Sequence, residues 1–131
     1  MTLDPERSPV ILVVEDVEET RDATEHLLVA SGYVVNTARN EAEAVLKAQS
    51  QLTDVILISV GLDATHSAAM GQRIRERARL APEVPIVVFC VPSLPEGAEE
   101  AIGGNTYITR PDNFDQLRGL LKRLVGTEPA A

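Results

Sequence analysis

Short apolar runs alternate with longer amphipathic ones along this chain. VILVV (Val10–Val14) is continuous and β-branched, which marks a strand buried on both faces, and it stops at Glu15-Asp16. VEETRDATEHLLVAS follows, with Thr20, Thr24, Leu27 and Leu28 spaced for one helical face and Gly32 placed to end the helix. Tyr33–Ala38 predicts a second strand. Asn40 then caps a second helix with Glu43 in capping-box spacing, and Ala42, Val45, Leu46 and Gln49 fall near one face. DVILIS, ending at Ser59, predicts a third strand. The polar loop VGLDATHSA precedes a basic helix, AMGQRIRERARL, which Pro82 stops; Pro85 opens a fourth strand, Ile86–Cys90. VPSLPEGAEEAIGGN holds two prolines and three glycines and leaves room only for a short, weak helix from Glu96 to Ile102. Thr106–Thr109 predicts a fifth strand. Asp112 caps the last helix, with Phe114, Leu117, Leu121 and Leu124 facing inward.

Strands alternating with helices imply parallel βαβ units with right-handed crossovers. The expected fold is α/β, a doubly wound five-stranded parallel sheet of order 2-1-3-4-5, a flavodoxin-like sandwich. One domain spans residues 9–125, with flexible ends at 1–8 and 126–131. The active crevice of such a sheet lies at the carboxyl ends of strands 1 and 3, where the order reverses. Those ends carry Glu15-Asp16 and Ser59.

Composition narrows the function. The chain has 131 residues and 44% hydrophobic content, the size of one compact domain. A net charge of -8 disfavours nucleic acid and anionic membranes as direct partners, and the absence of Trp argues against base-stacking platforms. The lone cysteine, Cys90, sits in an apolar run and cannot form a disulfide within the chain. MTLDPERSP has no apolar signal region, and the apolar runs are too short to span a bilayer. A cytoplasmic protein is expected.

The rim residues define the candidate chemistry. Adjacent carboxylates at Glu15-Asp16 suit a hard cation such as Mg²⁺, or cap the next helix. They repel a bare phosphate, and the turn lacks the glycines of a nucleotide site. Ser59 has no evident base: His26 lies mid-helix, His66 lies in a loop, and no GxSxG elbow is present. Arg110, before Pro111, could cross the rim to the acid pair. Arg73, Arg75, Arg77 and Arg79 form one basic patch, read as a solvated helix face or as a docking or dimer contact.

Taken together, these positions resemble the receiver domain of bacterial two-component response regulators, over roughly Pro9 to Val125. VVED matches the acid pair of that family, and YITRP keeps its aromatic (Tyr107) and its rim proline (Pro111). The resemblance places Ser59 where the phosphoryl-accepting Asp stands, Cys90 where a Thr or Ser stands and Arg110 where a Lys stands. Cys90 and Tyr107 thus fall at the switch positions. A serine hydroxyl without a base is a poor nucleophile, and loss of the carboxylate weakens the Mg²⁺ site at Glu15 and Asp16. Neither Asp54, at the far end of strand 3, nor Asp63, in the loop, is placed to substitute. Arg110 is instead expected to form a fixed ion pair with Glu15 or Asp16.

The resemblance thus implies a degenerate, pseudo-receiver: a non-enzymatic, phosphorylation-independent interaction module of a phosphorelay, with no cofactor beyond at most a weak Mg²⁺ site. Its partners would be a histidine kinase, a phosphotransfer protein, another receiver or a second copy. The shortened, Pro- and Gly-rich interval from Cys90 to Arg110 implies a remodelled output face. The alternatives are an active receiver phosphorylated at an unconventional residue, and a small hydrolase or redox protein using Ser59 or Cys90.

Overall fold

The computed structural model describes residues 8–60, 63–89 and 91–125. Its elements run β1 (Val10–Glu15), α1 (Glu18–Ala30), β2 (Val34–Ala38), α2 (Glu41–Ser50), β3 (Val55–Ser59), α3 (Ala64–Arg77), β4 (Ile86–Phe89), β5 (Glu99–Gly103), β6 (Thr106–Thr109) and α4 (Phe114–Val125). The expected parallel sheet is present as β2-β1-β3-β4-β6. Strand alternation splits its side chains between two cores. Leu12, Val14, Ile56, Ile58, Ile86 and Val88 meet α2 and α3, whereas Ile11, Val13, Leu57 and Val87 meet α1 and α4.

The sheet departs from expectation at its edge. The segment expected to form a short helix from Glu96 to Ile102 is instead β5, a sixth strand antiparallel to β6. The cause is the turn between them. Gly104 and Asn105 both have positive φ, 61° and 54°, and Gly103 pairs with Thr106 across them. Two left-handed residues in a two-residue loop are the geometry of a type I′ hairpin, whose twist matches that of the strands. A helix over 96–102 would have lost stability at Gly97 and had too few residues to nucleate.

Three helix details also differ. Asp63 caps α3, accepting from the His66 amide at 2.8 Å, so the helix begins inside the expected loop. Asn113, not Asp112, caps α4, accepting from the Gln116 amide at 2.9 Å. In α2 the buried residues are Ala44 and Ala48, whereas Leu46 is 66% exposed. Small alanines let that helix lie close to the sheet, which turns its face from the larger side chains. The Asn40 cap is as expected, and Glu43 reaches back to the Arg39 amide.

The arginines of α3 are tied down within the fold. Arg73 donates to both carboxylate oxygens of Glu41, and Arg77 adds a contact at 3.3 Å, which joins α3 to α2. Arg75 donates to the carbonyls of Val84 (3.0 Å) and Gly104 (2.8 Å), which pins the β5–β6 turn. Arg73, Arg75 and Arg77 of the basic patch therefore serve helix and hairpin packing.

Candidate functional site

Glu15 closes β1 and pairs in register with Ser59, the last residue of β3. The continuous apolar runs of both strands fix this register. The two residues meet at the carboxyl rim, at the switch point of strand order, as the sequence implies. Asp16 follows on the exposed side of the turn.

Glu15 is only 3% exposed. Its Oε2 accepts from the Val17 amide at 3.3 Å, whereas Oε1 is buried with no hydrogen-bond partner. Burial pushes its carboxyl above the usual range, and the Asp16 carboxylate adds to the rise; the Val17 amide and the Ser59 hydroxyl act the other way. From α1, Arg21 donates to the Glu15 carbonyl at 3.0 Å and so holds the backbone of the turn rather than the carboxylate.

The expected ion pair between Arg110 and the acid pair is absent. Arg110 donates to the Leu94 carbonyl at 3.0 Å, and its charge acts on Glu96. Backbone bonds explain the direction. The Arg110 amide donates to the Ala98 carbonyl, and the Gly97 amide donates to the Arg110 carbonyl. The chain leaving β6 is thus bound to the strand beside it, and the guanidinium finds its acceptor there.

The remaining rim positions take distinct roles. Cys90 lies outside the described residues. Tyr107 is half-buried, and its hydroxyl donates to Asn105 Oδ1 at 3.2 Å, at the amino end of β6 and away from the acid pair. Pro111 lines a groove with Thr24, Leu27 and Phe114 between α1 and α4. Asp54 accepts from the Val10 amide at 2.7 Å, at the opposite end of the sheet. Asp63 is held by the amide and the ring of His66. Ser59 has no imidazole beside it: His66 is turned to Asp63.

The family's implied Mg²⁺ can be tested against these donors. Among the described residues no group of three or more His, Cys, Asp or Glu side chains could hold a metal ion. Two carboxylates are present, but one oxygen of Glu15 is closed to solvent and its environment favours the neutral acid. Ser59, in register with Glu15, supplies a hydroxyl and no third carboxylate. This donor set does not fit a hard divalent cation.

Sequence reasoning missed two features here. One is the bond from Arg110 to the Leu94 carbonyl, which no local pattern signals. The other is the β5–β6 hairpin, for which Gly104-Asn105 between two β-compatible segments was the available cue.

Among the described residues no helix is long and apolar enough to cross a membrane. Residues 11–122 match the response regulator receiver domain family. The transcriptional regulatory protein KdpE of Staphylococcus aureus is 30% identical over 114 residues, covering 86% of this chain and 48% of that protein. The phosphate regulon transcriptional regulatory protein PhoB of Rhizobium meliloti is 26% identical over 121 residues, covering 89% and 52%. The chain therefore spans about half the length of these relatives. The receiver domain of the Pseudomonas aeruginosa sensor histidine kinase PA1611, solved with magnesium in its active-site cleft, superposes with a TM-score of 0.65 at 27% identity, covering 92% of this chain and all of that one. The Vibrio cholerae chemotaxis protein CheY4 gives the same score at 22% identity, covering 90% and 99%, a likeness of fold. Sheet order, rim position and sequence agree: the chain belongs to the response regulator receiver domain family.

Proposed function

We propose that this receiver domain acts as a phosphorylation-independent interaction module, a pseudo-receiver. The observation that carries the reading is the pairing of Ser59 with a buried Glu15, one of whose carboxylate oxygens has no partner, at the rim where the family's chemistry needs a third carboxylate. A phosphoryl group there would meet two carboxylates, while Arg110 is engaged with the Leu94 carbonyl and Arg21 with the Glu15 carbonyl. Among the described residues neither a general base for Ser59 nor a metal cage offsets that repulsion. The domain therefore signals by binding rather than by catalysis, to a histidine kinase, a phosphotransfer protein, another receiver or a second copy. Tyr107, bound to Asn105, is a fixed element of the sheet in this reading rather than a phosphate-driven switch.

The test is incubation with Mg²⁺ and acetyl phosphate, read by intact mass, with Ser59→Asp alongside. The wild type should stay unmodified. A labelled variant beside an unlabelled wild type shows that Ser59 alone silences the rim, and two unlabelled proteins show that the placement of Arg110 contributes as well. A wild-type adduct with the alkali lability of an acyl phosphate would overturn the reading.

A further inference from the structure

The edge strand β5 has no counterpart in the expected architecture, and among the described residues its outer side is unpaired. The Arg110 amide donates to the Ala98 carbonyl, so that carbonyl faces β6. Backbone groups alternate sides along a strand, so Glu100 turns its amide and carbonyl to Ile108, while those of Glu99 and Ala101 point away from β6. All residues of β5 are exposed. A cavity of about 230 Å³ adjoins the strand, lined by Glu99, Ala101, Tyr107, Leu120, Arg123 and Leu124, and Glu100 also borders it.

We propose that the free edge of β5 takes an extended segment of a partner protein that alternates basic and apolar residues and adds to the sheet as a further strand. Main-chain bonds to Glu99 and Ala101 supply the pairing, and alternation along the added strand supplies the selectivity. Side chains on the α4 face meet the cavity, where Tyr107, Leu120 and Leu124 offer apolar surface and Arg123 already neutralises Glu99 at 2.7 Å. Side chains on the other face meet Glu100, which among the described residues has no ion-pair partner. Glu96 lies near the same end of the hairpin, and Asp112 beside it is another acid, so the local field is negative. That field selects Lys or Arg. It also disfavours a second copy of this chain, since β5 against β5 would gather Glu99 and Glu100 of both copies on one short ladder.

The proposal deepens the reading as an interaction module and takes its biological sense from it. The two fail separately, because acetyl phosphate labelling reports on the rim and strand addition on the edge.

The probe is an acetylated, amidated Lys-Val-Lys-Val-Lys peptide, titrated into the ¹⁵N-labelled chain. Amide shifts should concentrate on Glu99–Gly103 and Thr106–Thr109, and exchange at the Glu99 and Ala101 amides should slow. Ala101→Pro removes an outward donor without touching a bond to β6, and should weaken binding by about tenfold or more. Glu100→Lys, at an exposed site, tests the charge without risk to the fold and should weaken it comparably. The same peptide N-methylated at alternate residues, or with Glu in place of Lys, should bind weakly or not at all. The proposal is overturned if the N-methylated peptide binds equally well, if shifts fall elsewhere, if Ala101→Pro and Glu100→Lys leave binding unchanged, or if sedimentation shows a dimer that Ala101→Pro abolishes.

Discussion

Replacing Glu15 by Gln should stabilise the protein at neutral pH and leave it nearly unchanged in acid. The carboxyl is buried, with one oxygen unpartnered and its acidity reduced by burial and by Asp16. A group whose folded-state value is raised binds its proton more tightly in the folded chain than in the unfolded one. Its contribution is fully present below the unfolded value of about 4.5 and is lost as pH rises through the higher folded value. Between the two values folding must take up a proton, and above the folded value the wild type carries an ionised carboxylate in a buried site. Gln has the same shape and no charge to desolvate, and its amide can donate to Asp16 or Ser59. Leaving one buried acceptor unpaired costs about 1–3 kcal/mol, and that is the expected gain at pH 7.5. With a urea dependence of about 2 kcal/mol/M, the midpoint should rise by about 0.5–1.5 M. The assay is urea unfolding of both proteins at pH 4 and pH 7.5, compared at matched ionic strength. The midpoints should converge at the lower pH. A Gln variant less stable than wild type at pH 7.5, or equally stabilised at both pH values, would refute the reasoning.

Two further substitutions probe the scaffold around the site. A Cβ added at Gly71 would lie 2.5 Å from Ile86 Cγ2 and 2.9 Å from Ile58 Cδ1, and the former belongs to a stiff β-branch. Gly71→Ala should therefore lose about 1–3 kcal/mol to overpacking against a helix-propensity gain of about 1 kcal/mol, so a net gain by urea titration would contradict the packing. Arg75→Ala removes the bonds to the Val84 and Gly104 carbonyls and should cost about 1–2 kcal/mol, with faster amide exchange in β6. Arg75→Lys should recover little of this, because an ammonium cannot span both carbonyls as the guanidinium fork does.

What was legible in the sequence follows from what each residue's environment depends on. The strands β1, β3 and β4 are sandwiched between helices, so both faces must be apolar and the run itself announces the strand. Register follows from burial, and with it the meeting of Glu15 and Ser59. β5 gives no such signal. It is an edge strand with solvent on one side and two glutamates in its first positions, so its pattern is as polar as a loop's. Its identity rests on the backbone of Gly104 and Asn105 rather than on any buried face. The α2 face was misjudged for a related reason: apolar size suggested Leu46 inward, whereas close approach to the sheet selects Ala44 and Ala48.

The hairpin also accounts for the position of Arg110, which no short-range pattern revealed. Replacing a helix by β5 places the Ala98 carbonyl and the Gly97 amide beside the backbone of Arg110, and both are bonded to it. That pairing holds the residue at the base of the hairpin, within 3.0 Å of the Leu94 carbonyl. The guanidinium is therefore drawn from the rim by the same rearrangement that creates the free edge. The placement of Arg110 and the exposed edge are on this account one structural change: the segment between β4 and β6 gives the guanidinium the Leu94 carbonyl as its acceptor and leaves β5 at the edge of the sheet.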